Sequence, residues 1–141
     1  MTVTRADTIT QNTKQAEYFS DFLDSFASSP YSGNLAKVTN ENSVRQSVKN
    51  LVLTNIGERF FQPNVGTNVN KSLFEPNDIT TVLDLQLYIE NVIRYYEKRV
   101  KELHVSVIPS ENDSYLIVNI IFSIINNPNP IDLTLNLKRV R

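Results

Sequence analysis

From Leu103 onward, apolar residues fall on every second position, and that period allows a sheet and little else. Leu103, Val105 and Val107 alternate with His104 and Ser106, and Pro109 to Ser114 supplies turn chemistry. In the next run, Tyr115 to Ile125, the residues Leu116, Val118, Ile120, Phe122 and Ile124 form an unbroken apolar face. Its other face mixes Ile117, Ile121 and Ile125 with Asn119 and Ser123, as a central strand would. Asn126 to Pro130 predicts a turn. A last strand then places Ile131, Leu133, Leu135 and Leu137 inward, and Asp132, Thr134, Asn136 and Lys138 outward. One wet face suits an antiparallel sheet over 103–140 that carries helices on its other side.

Two amphipathic stretches supply those helices. Over Asn42–Asn55, Val44, Val48, Leu51 and Val52 share one face with Asn55 at its end, while Arg45, Gln46, Lys49 and Asn50 take the wet side. Thr39, Asn40 or Asn42 can cap its start, and Gly57 offers a left-handed stop. The second helix follows Pro76-Asn77-Asp78 and runs to about Arg99. Leu85, Ile89, Val92 and Tyr96 form its buried stripe, widened by Val82 and Ile93. Glu90–Arg94 and Glu97–Lys101 are i,i+4 pairs. Tyr18 to Val38 reads as extended or irregular around a Pro30–Gly33 turn, with a short helix over 15–26 as the alternative. Residues 1–17, rich in Thr, Gln and Asn, form either a disordered terminus or an extended arm best ordered by a neighbouring chain. The expected fold is α+β: two main helices on a small, mainly antiparallel C-terminal sheet, with an N-terminal arm (1–17) and one domain over 18–141.

Several chemistries are excluded early. The 141 residues contain no cysteine, so disulfides, thiolate catalysis and Cys-based metal sites are out. A net charge of −1 gives no general attraction to nucleic acid. The apolar runs are too short to span a bilayer, and no secretory leader is visible. His104 is the only histidine, so no triad or His-based metal site can form within one chain. The three glycines have no phosphate-loop spacing. No cofactor is expected. Glu58, Glu75 and Glu97 are the carboxylates that a glycosidase pair would draw on, at separations of about 5–5.5 or 6.5–9.5 Å.

The irregular stretch between the helices concentrates charge and aromatic rings: Ile56-Gly57-Glu58-Arg59-Phe60-Phe61-Gln62-Pro63-Asn64-Val65-Gly66, then Leu73-Phe74-Glu75-Pro76. Phe60 and Phe61 are expected to pin this loop to the domain, leaving Glu58 and Arg59 to meet a partner. At the second helix's end, Glu97 and Arg99 stand two apart, and on a helix they would diverge. Each would then need a different partner, with Arg99 reaching under the Phe60-Phe61 loop or across to another subunit. The alternative is a solvated helix end, which favours cations by ~0.3–1 kcal/mol.

In this order the segments resemble the baseplate wedge proteins of contractile phage tails, a family that includes sheath-initiating components of R-type pyocins and a baseplate subunit of type VI secretion systems. The resemblance runs from Tyr18 to the C-terminus. It rests on the helix Val44–Asn55, the Gly57-Glu58-Arg59-Phe60 turn, Pro63…Gly66, Leu73-Phe74-Glu75, the helix Asp78–Arg99 and the β-rich end. Members close the second helix with Glu-Pro-Arg, and here the triplet is Glu97-Lys98-Arg99. Without the proline the helix is expected to run slightly further. The resemblance implies a structural subunit rather than an enzyme, present in multiple copies in a hexagonal baseplate. It would join the wedge core to the first sheath ring and initiate sheath assembly by strand addition at Leu133, Leu135 and Leu137. Glu97, Arg99, Glu58, Arg59 and Phe60 would form the wedge-core or loop-anchoring interface. Implied partners are other wedge proteins and the sheath protein, with the tail tube or hub as a further neighbour. The implied location is the virion's tail baseplate, assembled in the host cytoplasm. A lysozyme-like label within the family keeps a peptidoglycan-cleaving enzyme as the rival reading.

Overall fold

The computed structural model describes residues 18–75, 78–110 and 115–138. The 1–17 arm, Pro76-Asn77, most of the turn before Tyr115 and the last three residues lie outside the described residues. The chain runs β1 (Ser20–Phe22), β2 (Lys37–Thr39), α1 (Asn40–Leu53), the single turn α2 (Val69–Ser72), α3 (Ile79–Tyr96), β3 (Val100–Pro109), β4 (Tyr115–Ile124) and β5 (Asn127–Lys138). The fold is α+β, with an antiparallel sheet ordered β3-β4-β5 and β4 central as its two-sided pattern required.

Alternation survives in the structure residue by residue. Val105, Val107, Leu116, Val118, Ile120, Phe122, Ile124, Ile131, Leu133, Leu135 and Leu137 are buried on one face of the sheet. Against them pack Val44, Val48, Leu51 and Val52 from α1, and Leu85, Ile89, Val92 and Ile93 from α3. The opposite sheet face is wetter. There His104 and Asp132 flank Ile121, and Thr134 Oγ1 donates to Asn119 Oδ1 at 3.1 Å. Two bulges bend the ladder. Between Val100 and Leu103 the Glu102 N–H turns to the hydroxyl of buried Ser123, and between Phe122 and Ile124 the pairing absorbs Pro128 to Pro130.

Four boundaries differ from expectation. The β4–β5 turn is only Ile125-Asn126, because the bulge takes the prolines into β5. Helix α1 stops at Leu53, before Gly57: Thr54 turns extended (φ −77°, ψ 130°), and its N–H and hydroxyl both donate to Asn50 O. At the other end Thr39 occupies the N-cap position without a side-chain cap bond. Asn40 instead points its Oδ1 back to the N–H groups of Tyr18 and Phe19, while its own N–H donates to Phe19 O. That exchange holds the start of the β1 strand beside α1; Ser20–Phe22 is extended and a turn follows at Asp24-Ser25, so no helix forms over the described part of 15–26. Finally, α3 ends at Tyr96 and β3 begins at Val100, and Tyr96 is more exposed than a stripe residue should be.

Phe122 is the largest fully buried side chain and sits on the central strand. Phe122→Ala is expected to lower unfolding free energy by ~3–5 kcal/mol in urea titration. Its neighbour Ile121, on the wetter face, should cost about 1 kcal/mol or less as Ile121→Ala.

Candidate functional site

Helix α3 ends because Glu97 leaves helical geometry (φ −106°, ψ 84°) and enters a turn closed by Val100 N–H donating to Glu97 O at 3.3 Å. The turn folds Arg99 back onto Glu97. Arg99 Nε donates to Glu97 Oε1 at 2.7 Å and Nη2 to Oε2 at 2.6 Å, a two-pronged fork, and the Arg99 N–H adds a weaker bond at 3.3 Å. The Ser47 hydroxyl of α1 reaches Glu97 Oε2 at 2.7 Å, and the Arg99 guanidinium lies 5.4 Å from the centre of the Phe19 ring. The expected divergence of these two side chains rested on continuous helix, and so did the Glu97–Lys101 pair. With the helix ended at Tyr96, the residues pair with each other. The Glu90–Arg94 pair does form, at 2.7 Å.

Glu97 is 6% exposed, and burial pushes its carboxyl upward. The Arg99 fork, the Ser47 hydroxyl and the Arg99 charge together outweigh burial, so the carboxyl lies below its ordinary value. Arg99 is raised, chiefly by its bonds to Glu97 and despite burial.

Lys98 occupies the first central position of the turn, where proline's fixed φ is favoured. Glu97, in front of it, is already outside the α region, as a following proline would demand. A proline here would therefore terminate nothing that the turn does not already terminate. Lysine substitutes for it with a bond from Nζ to Arg94 O at 3.3 Å and a place over the Tyr95 ring.

The loop between α1 and α2 stands over this turn. Gly57 N–H donates to Pro63 O at 2.7 Å, and Glu58 folds its carboxylate onto Asn55 N–H at 2.8 Å. Tyr96 Oη donates to Asn64 O at 2.8 Å. Gly66 (φ +133°) lies so close to α1's end that a Cβ there would sit 2.5 Å from Thr54 O. Main-chain bonds and partly buried Val65 thus hold the loop. Phe60 and Phe61, expected to pin it, are 98% and 100% exposed. The Tyr96–Asn64 bond sits between two clefts. One, of about 310 Å³, puts Arg59 and Gln62 opposite Glu97 and Ser47, and the other, about 530 Å³, holds Arg94 and Lys98.

The structure thus brings Glu97, Arg99 and Arg59 to one place, spends Glu58 on its own loop and projects Phe60 outward. Leu133, Leu135 and Leu137 are buried on β5, so only that strand's main chain and its outward residues can meet a partner. Ser47, Phe19 and Asn64 have no role that the sequence assigns, since no periodicity or motif joins them to this turn. Among the described residues no cluster of His, Asp or Glu could hold a metal ion, and no helix is long and apolar enough to cross a membrane.

Known proteins resemble this chain in sequence and fold. A family model described as baseplate wedge protein gp25 matches residues 38–129. The baseplate wedge protein gp25 of Enterobacteria phage T4 is 38% identical over 90 residues, covering 64% of this chain and 68% of the T4 protein. Three solved structures share the fold. A Geobacter sulfurreducens protein provisionally called a tail lysozyme superposes with a TM-score of 0.65 at 20% identity, covering 72% of this chain and 92% of its own. A chain of a type VI secretion baseplate complex gives 0.56 at 13% identity, covering 69% and 93%. One from the anti-feeding prophage baseplate gives 0.56 at 17%, covering 87% of each. The class is that of the baseplate components of contractile tails. The chain belongs to the gp25 family of baseplate wedge proteins.

Lys98→Pro is expected to raise stability by ~0.4–1 kcal/mol in chemical denaturation, since Glu97 before it is already outside the α region, as a following proline requires. Arg99→Ala leaves a buried carboxylate unpaired and is expected to cost toward the lower end of ~3–5 kcal/mol. Because Glu97's carboxyl is lowered in the folded state, its contribution is complete above its ordinary value of 4.5 and fades as pH falls below it. The stability gap between wild type and Glu97→Gln should accordingly shrink on acidification below that value.

Proposed function

We propose that this wedge protein joins the wedge core to the first sheath ring and starts sheath assembly by accepting an extended sheath segment along β5. The observation that carries this is an edge. β5 pairs with β4 in unbroken register from Ile131 to Lys138 and, among the described residues, with nothing on its other side. Its core-facing leucines hold the strand rigid while its outer main chain remains available, which is how strand addition gains affinity from main-chain bonds. On the wedge side, exposed Phe60 and Arg59 face the core subunits. Glu58, Glu97 and Arg99 act from beneath by fixing the loop and turn that present them. Partners are then other wedge proteins and the sheath protein, with the tube or hub adjacent, in a hexagonal baseplate of the virion assembled in the host cytoplasm. The chain then comprises an N-terminal arm, residues 1–17, and one structural domain over 18–141.

The rival, a peptidoglycan-cleaving enzyme, draws on the name of the Geobacter relative. It would need a protonated carboxylic acid near neutral pH. Glu97, the only carboxylate among the described buried residues, is held charged by Arg99 and Ser47. It cannot serve as that acid.

Since the chain lacks cysteine, a single cysteine at exposed Asn136 can carry a benzophenone cross-linker without competition. In baseplates assembled with sheath, the Asn136 probe is expected to capture the sheath protein, and a control at Lys49 on the wet side of α1 is not. Probes at Thr134, Asn136 and Lys138 that all fail to capture sheath would overturn the docking edge. Clearing of a cell-wall suspension by the purified wild type, lost in Glu97→Gln, would replace it with the enzymatic reading.

A further inference from the structure

Helix α3 is apolar on two sides. Leu85, Ile89, Val92 and Ile93 are buried against the sheet. Ile79, Leu83 and Leu87 recur at i, i+4 and i+8 on the outer side and are 81%, 51% and 56% exposed. Single exposed leucines are ordinary, but three in a row along the outer side of a helix form a ridge. Helix α1, by contrast, turns Arg45 and Lys49 to solvent and has no such ridge. A helix with a second apolar stripe outside the core-facing one has a second surface suited to cover.

Charge along α3 is polarised. Asp78 and Asp84 lie toward its N-terminal half, and Arg94 and Lys98 lie at its C-terminal end beside the cleft of about 530 Å³. Lys98 and Tyr95 stack at that cleft's rim, and Glu90, paired with Arg94, is the only acid of the last two turns against two cations, so this end keeps a net positive charge. The outer side therefore offers an apolar ridge with an acidic first half and a cationic pocket at its far end.

We propose that this outer side of α3 packs against an amphipathic helix of a neighbouring wedge subunit, running antiparallel to α3. This rests on the wedge reading above and names the partner's chemistry. The antiparallel sense follows from charge. Helices favour acids in their first turn and cations in their last. A partner lying antiparallel brings its acidic start to Arg94 and Lys98, and its basic end to Asp78 and Asp84. A parallel partner would set like charges together at both ends. The ridge gives the partner its apolar contact, spaced for ridges-into-grooves packing.

Exposed Thr80 and Asn91 lie on this side, eleven positions apart, or ~16 Å along the axis. Each is replaced by a lone cysteine carrying benzophenone in wedges formed by co-expression with the other wedge subunits of the same tail, and the cross-linked peptides are mapped. Both probes are expected to capture one helix of one wedge subunit, with the Thr80 site about eleven residues C-terminal to the Asn91 site. Leu87→Glu is expected to leave the melting temperature of the isolated chain nearly unchanged and to weaken wedge incorporation by about tenfold or more. Co-purification without these cross-links, cross-links in the reverse order, or capture of a second copy of this chain would overturn the helix proposal and leave the wedge reading standing. A wild-type chain that fails to co-purify with any wedge subunit would remove both.

Discussion

The Glu97–Arg99 fork is where the separate parts of this chain are tied together. Ser47 brings α1 to it, Phe19 brings the N-terminal strand, Glu97 is the last residue of α3's path and Arg99 the approach to β3. A carboxylate at 6% exposure is costly to keep charged, and it stays charged here only because four donors converge on two oxygens. That convergence requires the tight turn between α3 and β3. The ion pair and the end of the helix are therefore one event. They set the angle at which α3 returns into the sheet, and with it the position of the loop bonded to Tyr96.

Such a fork gives a physical account of how a motif can serve an interface without touching the partner. Both Glu97 oxygens are engaged internally, so the groups on offer to another molecule are chiefly those the fork holds in place: Arg59 on the rim of the cleft and the Phe60-Phe61 tip. The loop is held by main-chain carbonyls and N–H groups, chiefly at Gly57–Pro63 and Thr54–Thr67. Because those bonds need no help from aromatic packing, both rings can be left in water. A rigid loop with exposed rings loses little entropy when it is covered, which favours binding.

Much of this architecture was legible in the sequence because period alone encodes it. The inward set on β3, β4 and β5, and the stripes Val44–Val52 and Leu85–Ile93, follow from 2-residue and 3.6-residue spacing, and they are buried as read except Leu103 and Val82, which are partly buried, and Tyr96, which is exposed. What period does not encode is where a helix gives way. A helix continued to Arg99 sends Glu97 and Arg99 in different directions, but α3 ends three residues earlier, at Tyr96, as the family's proline in the middle of the triplet signals. Phe60 and Phe61 are apolar, but apolarity says nothing about direction in an irregular loop, and here both rings face water. The two-residue β4–β5 turn was hidden by prolines that a bulge, not a turn, accommodates. Ile79, Leu83 and Leu87 were visible as letters but belonged to neither predicted stripe.

The proposed docking surfaces make different demands on the same core. Leu133, Leu135 and Leu137 face inward, so a sheath segment added to β5 would find main-chain groups and the outward Asp132, Thr134, Asn136 and Lys138. A helix on the back of α3 would instead find side chains alone, because α3's main-chain bonds are internal except at its ends. The edge of β5 and the outer side of α3 are separated by the packed layer of Phe122, Ile120, Ile89 and Ile93. Close-packed interiors of that kind transmit displacement rather than absorb it. A partner bound to α3 would thus fix the direction in which β5 presents its edge, as the proposed role of joining two differently built rings requires.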